Sequence, residues 1–353
     1  MVSRRGETIQ VSFLDAQTCG GGDRAKRRVG RLAIRTYWWL GLGDRAGFCG
    51  VLQRFGAGMS EIIQLVAMIR AICGNWDEIM TALILFTDLD GTLLNGESYA
   101  YDAALPVLQT LQQRGIPVIP VTSKTRAEVE TLILQIGLTG PFVTENGSAI
   151  YIPRDTCPFA LPEGEDDGPY RVVALGVIYV MARAGLKAIA QELGRPLKGF
   201  GDLSVEQVQQ LTGLSADDAH QAKMREFTEP FLTPKNTPPE KLTAAVESMG
   251  FKVVVGDRFS HLIGGAAGKG VAVHQLVELY KPTFPAGEDI VTVGLGNSPN
   301  DIDMLENVDR AIVLPGTDGP HPQLSDRGWA IAPQPAPEGW AMAVNQVLAE
   351  FPD

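Results

Sequence analysis

Three short polar clusters and one isolated lysine carry the residues able to do chemistry. The first cluster is Thr87-Asp88-Leu89-Asp90-Gly91-Thr92, the second Thr122-Ser123-Lys124-Thr125, the third Gly296-Asn297-Ser298-Pro299-Asn300-Asp301, and Lys269 stands between Gly268 and Gly270. In the first cluster two carboxylates two residues apart can project to one side, and Gly91 permits a tight turn that bares backbone N–H groups. Carboxylates that close repel each other. A divalent cation relieves the repulsion, and magnesium typically takes one or two carboxylates together with waters and phosphate oxygens. Thr122 and the N–H groups after it can hold an anion at a helix start, Lys269 can neutralise a transferring phosphoryl group, and Asn297 and Asp301 offer oxygens four residues apart. Each feature also has a plainer explanation: an Asp-Gly turn, a Ser/Thr helix cap with Glu128 nearby, a solvated lysine, and a helix start with Ser298 as cap and Pro299 at its first position.

The elements that position these clusters decide between the two readings. From Ala82 onward, short apolar runs alternate with helix-length segments, which predicts a parallel α/β sheet. Strands are expected at Ala82 to Phe86, Ile116 to Val121, Phe142-Val143, Ile290 to Leu295 and Ala311 to Leu314. Helices are expected at Ala103 to Arg114, at Arg126 to Ile136 before Gly137, and after Lys269. Three of the strands run straight into the three clusters. In open parallel sheets ligands bind in the crevice beyond the carboxyl ends of the strands, so the coincidence favours a joint site over separate turns and caps. Residues 157–262 break the rhythm with an acidic loop, strands near Val172 and Phe227, and helices near Val180 to Leu193 and Thr237 to Met249. They read as an inserted α+β domain. The expected organisation is therefore an extension at 1–79, a first core segment at 80–156, the insertion at 157–262 and a second core segment at 263–353.

Composition narrows the functional class. The chain has 353 residues, 45% apolar and 20% charged, as in ordinary globular proteins. A net charge of -11 argues against nonspecific nucleic-acid binding, which needs a basic surface. Cys19, Cys49, Cys73 and Cys157 form neither a CxxC pair nor a dense framework, so no zinc site or disulfide scaffold is implied and a cytoplasmic location is expected. No apolar run reaches the roughly 18 residues of a membrane span. Residues 1–79 have poor periodicity and a basic patch at Arg24 to Arg28. They are expected to be a disordered or loosely packed extension translated from an upstream start, with Met80 opening the domain. The competing reading is an amphipathic helix at Glu61 to Ile72 that docks on a membrane or a partner.

In order and separation, the clusters and Lys269 resemble the four signature motifs of the haloacid dehalogenase-like (HAD) phosphatases, over Leu83 to about Leu314. The insertion resembles the α/β cap (C2B type) of the Cof-type sugar-phosphatase branch. Within that branch four stretches are similar to the mannosyl-3-phosphoglycerate phosphatase family: Val121 to Thr125, Thr144-Glu145-Asn146-Gly147, Arg225 to Phe231 and Gly256 to Leu262. The resemblance implies a doubly wound core, a small phosphorylated sugar-glycerate substrate and Mg2+. Asp88 is then the nucleophile that forms an aspartyl-phosphate, Asp90 the acid and base, and Thr122 and Lys269 the groups that hold the phosphoryl oxygens. The metal would take Asp88, Asp90 through its backbone carbonyl, and oxygens of the third cluster from Asn297 and Asp301, with Asp301 behind or within that shell. Thr92, Ser123, Lys124, Glu145, Asn146, Gly147 and Arg225 would serve the substrate, with Arg258 as a further candidate and His261 as a structural residue. Glu145-Asn146-Gly147 also fits a hairpin turn. Asn297 departs from the family, which has a metal-binding aspartate there; weaker magnesium affinity is the consequence. A phosphatase for glucosyl-3-phosphoglycerate or another sugar phosphate, a phosphomutase of the same superfamily, and a noncatalytic phosphate-binding regulator are the alternatives.

Overall fold

A computed structural model of the chain describes residues 82–351 apart from 235–236, 256–258 and 286–287. The expected extension at 1–79, its candidate helix at Glu61 to Ile72, and Arg258 lie outside the described residues.

Strand β1, Ala82–Thr87, is buried along its whole length. Its unbroken apolar run suits a strand covered on both faces. Leu83 and Leu85 point into one core cluster while Ile84 and Phe86 point into another, the alternation that a pleated strand imposes. Helix α1, Leu105–Gln113, then leads to β2, Val118–Pro120, and α2, Arg126–Ile136. The start of α2 is fixed by a reciprocal cap between Thr125 and Glu128, and its end by Gly137 in the left-handed conformation at φ 77°. Four antiparallel strands follow: β3, Phe142–Thr144; β4, Ala149–Pro153; β5, Glu165–Asp167; and β6, Tyr170–Ala174.

The inserted domain contains α3, Tyr179–Glu192; α4, Val205–Thr212; α5, Ala216–Ala222; β7, Glu229–Phe231; α6, Pro239–Glu247; β8, Phe251–Val255; and β9, Ser260–Gly264. Its three strands form their own antiparallel sheet in the order β7-β9-β8. The chain then returns through α7, Lys269–Tyr280; β10, Ile290–Gly296; α8, Ile302–Leu305; β11, Arg310–Val313; α9, Pro322–Ser325; β12, Ala330–Ile331; and α10, Glu338–Glu350.

The main sheet has the order β12-β11-β10-β1-β2 and every pairing in it is parallel. One core cluster packs side chains of α1, α2 and α10 against one face, and the other packs α7 and α8 against the opposite face. The doubly wound core expected from the sequence is thus the observed fold. Among the described residues, no helix is long and apolar enough to cross a membrane.

Two expectations need correction. Residue 157 is not where the chain leaves the core, because β5 and β6 pair with β4, which in turn pairs with β3. The misreading has a physical origin: β5 is Glu165-Asp166-Asp167 and wholly exposed, so it carries no apolar alternation and reads as a loop. It is held instead by backbone pairing and by ion pairs from Asp167 to Arg126 (2.6 Å) and from Asp166 to Arg171 (2.7 Å). At the other boundary, β9 carries the inserted sheet to Gly264, two residues past the expected limit.

The link from core to chemistry is Trp340 on α10. It is fully buried, and its indole N–H donates to Thr87 Oγ1 at 3.0 Å, one residue before Asp88. Trp340→Ala is expected to lower stability by about 3–5 kcal/mol, measured by urea unfolding; a change within experimental error would contradict this packing role.

Candidate active site

The site grows from the carboxyl ends of β1 and β10. Asp88 follows β1, and its backbone N–H is fixed on the Leu295 carbonyl at 2.9 Å. The glycine-flanked start of α7 brings in Lys269, which is 1% exposed and donates to Asp88 Oδ1 at 2.8 Å and to Asp301 Oδ1 at 2.6 Å. Asp301 Oδ2 accepts the N–H groups of Asn297 (2.9 Å) and Ser298 (3.0 Å), so both of its oxygens are engaged. Burial opposes the charge on Lys269, but Asp301 and Asp88 overcome that and hold its pKa above the ordinary lysine value. The Asp88 carboxyl is raised from its usual value, first by burial and then by the charge of Asp301, with Lys269 acting against both. Two buried carboxylates share one ammonium, which leaves the cluster electron-rich.

Close packing fixes the surroundings. Gly91 has φ 74°, and a Cβ there would lie 2.3 Å from Asn297 Nδ2, so glycine is what lets the third cluster approach the first. Thr92 is fully buried and donates to Asn297 Oδ1 at 3.2 Å. Gly147 has φ 82°, and a Cβ there would fall 2.1 Å from the Gly268 carbonyl carbon; it seats the turn against the start of α7. Asn146 Oδ1 accepts from Asn300 Nδ2 at 3.1 Å, tying that turn to the third cluster.

Above Asp88 lies a cleft of about 220 Å³. Its floor includes Asp88, Asp90, Ser123, Lys124, Asn297 and Asn300, and its roof comes from the inserted domain, including Phe200, Thr212, Arg225, Phe259 and His261. Lys124 pairs with Asp90 at 2.9 Å and with Glu128 at 3.5 Å. Burial works against its charge, yet Asp90 and Glu128 hold its pKa above the usual value. The second oxygen of the Asp90 carboxylate, Oδ1, is buried without a partner.

The structure therefore gathers Asp88, Asp90, Ser123, Lys124 and Asn297 around one cleft, with Lys269 behind Asp88 and Asp301 behind Lys269. Several expected substrate contacts are placed differently. Thr92 and Thr122 are not among the lining residues; Thr122 is 1% exposed and its hydroxyl accepts the Lys124 N–H at 3.2 Å. Glu145, Asn146 and Gly147 form the β3–β4 hairpin turn, the second of the two readings the sequence allowed.

Glu145 is not among the residues that line this cleft. It is 1% exposed, at φ 49°, and accepts from the backbone N–H groups of Glu226 (2.7 Å), Phe227 (3.3 Å) and Thr228 (2.8 Å) and from the Thr228 hydroxyl (2.6 Å). Burial keeps its carboxyl above the usual range although Arg225 and these donors pull the other way. Arg225 is also committed, donating to Ser123 O at 2.7 Å and Ala222 O at 3.0 Å. Together with Phe227, which is buried in the core cluster, these bonds clasp the inserted domain onto the core.

A family model of haloacid dehalogenase-like hydrolases matches residues 85–160. The glucosyl-3-phosphoglycerate/mannosyl-3-phosphoglycerate phosphatase of Persephonella marina is 38% identical over 269 residues, which cover 76% of this chain and 98% of that protein. This chain belongs to the mannosyl-3-phosphoglycerate phosphatase family of HAD-like hydrolases. Another member, the mannosyl-3-phosphoglycerate phosphatase of Pyrococcus furiosus, is 36% identical over 65% of this chain and 90% of its own length. Among solved structures, a sucrose-phosphatase from Synechocystis in complex with sucrose and phosphate shares the fold, with TM-score 0.50 and 19% identity over 77% of this chain and 98% of that one.

For a family member built in this way, the buried lysine is the keystone of the site. Lys269→Met would leave two carboxylates facing each other without a cation. It is expected to lower stability by about 3–5 kcal/mol in chemical denaturation, with part of the loss recovered by adding Asp301→Asn. A Lys269→Met protein as stable as the wild type would contradict the described arrangement.

Proposed function

We propose that the protein is a magnesium-dependent phosphatase that hydrolyses mannosyl-3-phosphoglycerate to mannosylglycerate and phosphate. The observation that carries this reading is Asp88 held at a strand end by Lys269, facing a cleft roofed by an inserted domain, in a chain 38% identical to a phosphatase named for that substrate and its glucosyl counterpart. Asp88 attacks phosphorus in line, and the bond from phosphorus to the glycerate oxygen breaks. Asp90 gives its proton to the departing oxygen. Water then attacks the aspartyl-phosphate while Asp90 takes a proton from it, and Asp88 leaves as a carboxylate. Ser123, Lys124 and Arg225 line the cleft and are the groups proposed to meet the substrate. Glucosyl-3-phosphoglycerate is the second reading, favoured by the two substrates in the relative's name.

The residues present suit Mg2+. Among the described residues no three His, Cys, Asp or Glu converge as a cage, and Asp301 is spent on Lys269 and two backbone N–H groups. These contacts favour a place for Asp301 behind the direct ligands, where it braces Asn297 through its backbone N–H. The oxygens that would hold the ion are the Asp88 carboxylate, the backbone carbonyl of Asp90 and the Asn297 side chain, which leaves the unpartnered Asp90 Oδ1 free for proton transfer. Magnesium accepts such a sparse set because waters and substrate oxygens complete its shell. When bound it would offset the charge that builds on the phosphoryl oxygens.

Phosphate release from mannosyl-3-phosphoglycerate, glucosyl-3-phosphoglycerate and simple sugar phosphates tests the reading. Magnesium-dependent release, highest for the glycosyl-phosphoglycerates and abolished in Asp88→Asn, is the expected result; isomerisation without free phosphate, or undiminished activity in Asp88→Asn, would refute it. Asn297→Asp restores a charge among the metal's oxygens. Calorimetric titration is expected to show magnesium affinity rising roughly tenfold, or about 1.4 kcal/mol; unchanged affinity would remove Asn297 from the metal site.

A further inference from the structure

Among the described residues, the roof of the cleft holds one polar side chain, His261, that no other group hydrogen-bonds. His261 lies on β9, is 8% exposed and lines the cleft opposite Asp88, yet its Nδ1 is buried without a hydrogen-bond partner. Among the described residues, neither ring nitrogen makes a hydrogen bond. Its neighbours in the roof are already engaged. The Thr212 hydroxyl donates to Val208 O at 2.7 Å and accepts the Leu214 N–H at 3.2 Å, and Arg225 is held by two backbone carbonyls. An imidazole enclosed and unpaired carries a desolvation penalty, and buried polar groups are otherwise almost always bonded.

The chemistry of the missing partner follows from the ring's charge. Burial, and then the cations Arg225 and Lys269, push the His261 pKa down to about 3, so the ring is neutral, with one N–H donor and one acceptor nitrogen. A hydroxyl, which both donates and accepts, matches that pair, whereas an anion is better served by Lys124 on the floor. Phe200 and Phe259, packed edge to face at 4.9 Å, line the same roof and offer an apolar wall to the C–H face of a sugar ring.

We propose that His261 is a specificity-determining residue that hydrogen-bonds a hydroxyl of the leaving glycosyl-glycerate group while the phosphate is held below on Asp88. The proposal rests on the sugar-phosphatase reading given above. It is tested by comparing mannosyl-3-phosphoglycerate with p-nitrophenyl phosphate, which has the ester but no sugar hydroxyl, in His261→Leu and His261→Asn. In His261→Leu, KM for the sugar substrate should rise about tenfold, the order expected for one lost hydrogen bond, and several-fold more than KM for p-nitrophenyl phosphate. His261→Asn, whose amide again offers a donor and an acceptor, should recover most of the difference. Equal losses on both substrates in folded variants, or no rise for the sugar substrate, would overturn the assignment. If wild type hydrolyses p-nitrophenyl phosphate but no glycosyl-phosphoglycerate, the substrate reading fails separately. The same comparison with the sugar phosphate it does prefer then decides the role of His261.

Discussion

The site depends on one buried ammonium between two carboxylates. Lys269 could not remain charged at that depth without Asp88 and Asp301, and neither carboxylate could be tolerated there without it, since an unpaired buried charge is penalised by several kcal/mol. The pairing also sets a functional balance. Asp301 spends its other oxygen on the backbone of the third cluster, so the lysine is anchored from behind and presents Asp88 to the cleft. Two carboxylates against one ammonium leave surplus negative charge where a divalent cation and a phosphoryl group are proposed to meet.

The rest of the architecture keeps that balance enclosed. Gly147 lets the β3–β4 turn sit directly against the Gly268 backbone, closer than any Cβ would permit, and Gly91 makes room for the Asn297 side chain. The inserted domain is held over the core by the Glu145 clasp. Glu145 pays in backbone strain and desolvation, and gains four donors from the segment Glu226 to Thr228. The clasp brings His261 and Arg225 of the inserted domain over the cleft that Asp88 lines.

The parts legible in the sequence were those encoded by local physics. The run at 82–87 reads as a buried strand because it is one, and the limits of α2 follow from Thr125, Glu128 and Gly137. The shared site was legible because three expected strands run straight into polar clusters, while Lys269 joined it only through the family resemblance. Other features depend on tertiary partners and leave no local trace. Nothing in Glu145-Asn146-Gly147 reveals that Glu145 points toward the inserted domain. The acidic strand β5 lacks the apolar alternation that would announce it. Helix α4 did carry a signal, with Ser204 and Gln207 forming a reciprocal cap and Gly213 ending it, and a closer reading of caps would have found it. His261 reads as structural because a sequence cannot show an empty hydrogen-bonding position.

The most direct measurement of the central claim, that Asp88 itself receives the phosphoryl group, is rapid acid quench of the enzyme turning over a 32P-labelled substrate, followed by peptide mapping. The account predicts acid-stable, hydroxylamine-sensitive label on the peptide that contains Asp88, formed before phosphate is released. Label on another residue, or turnover with no labelled peptide at any time point, would contradict it.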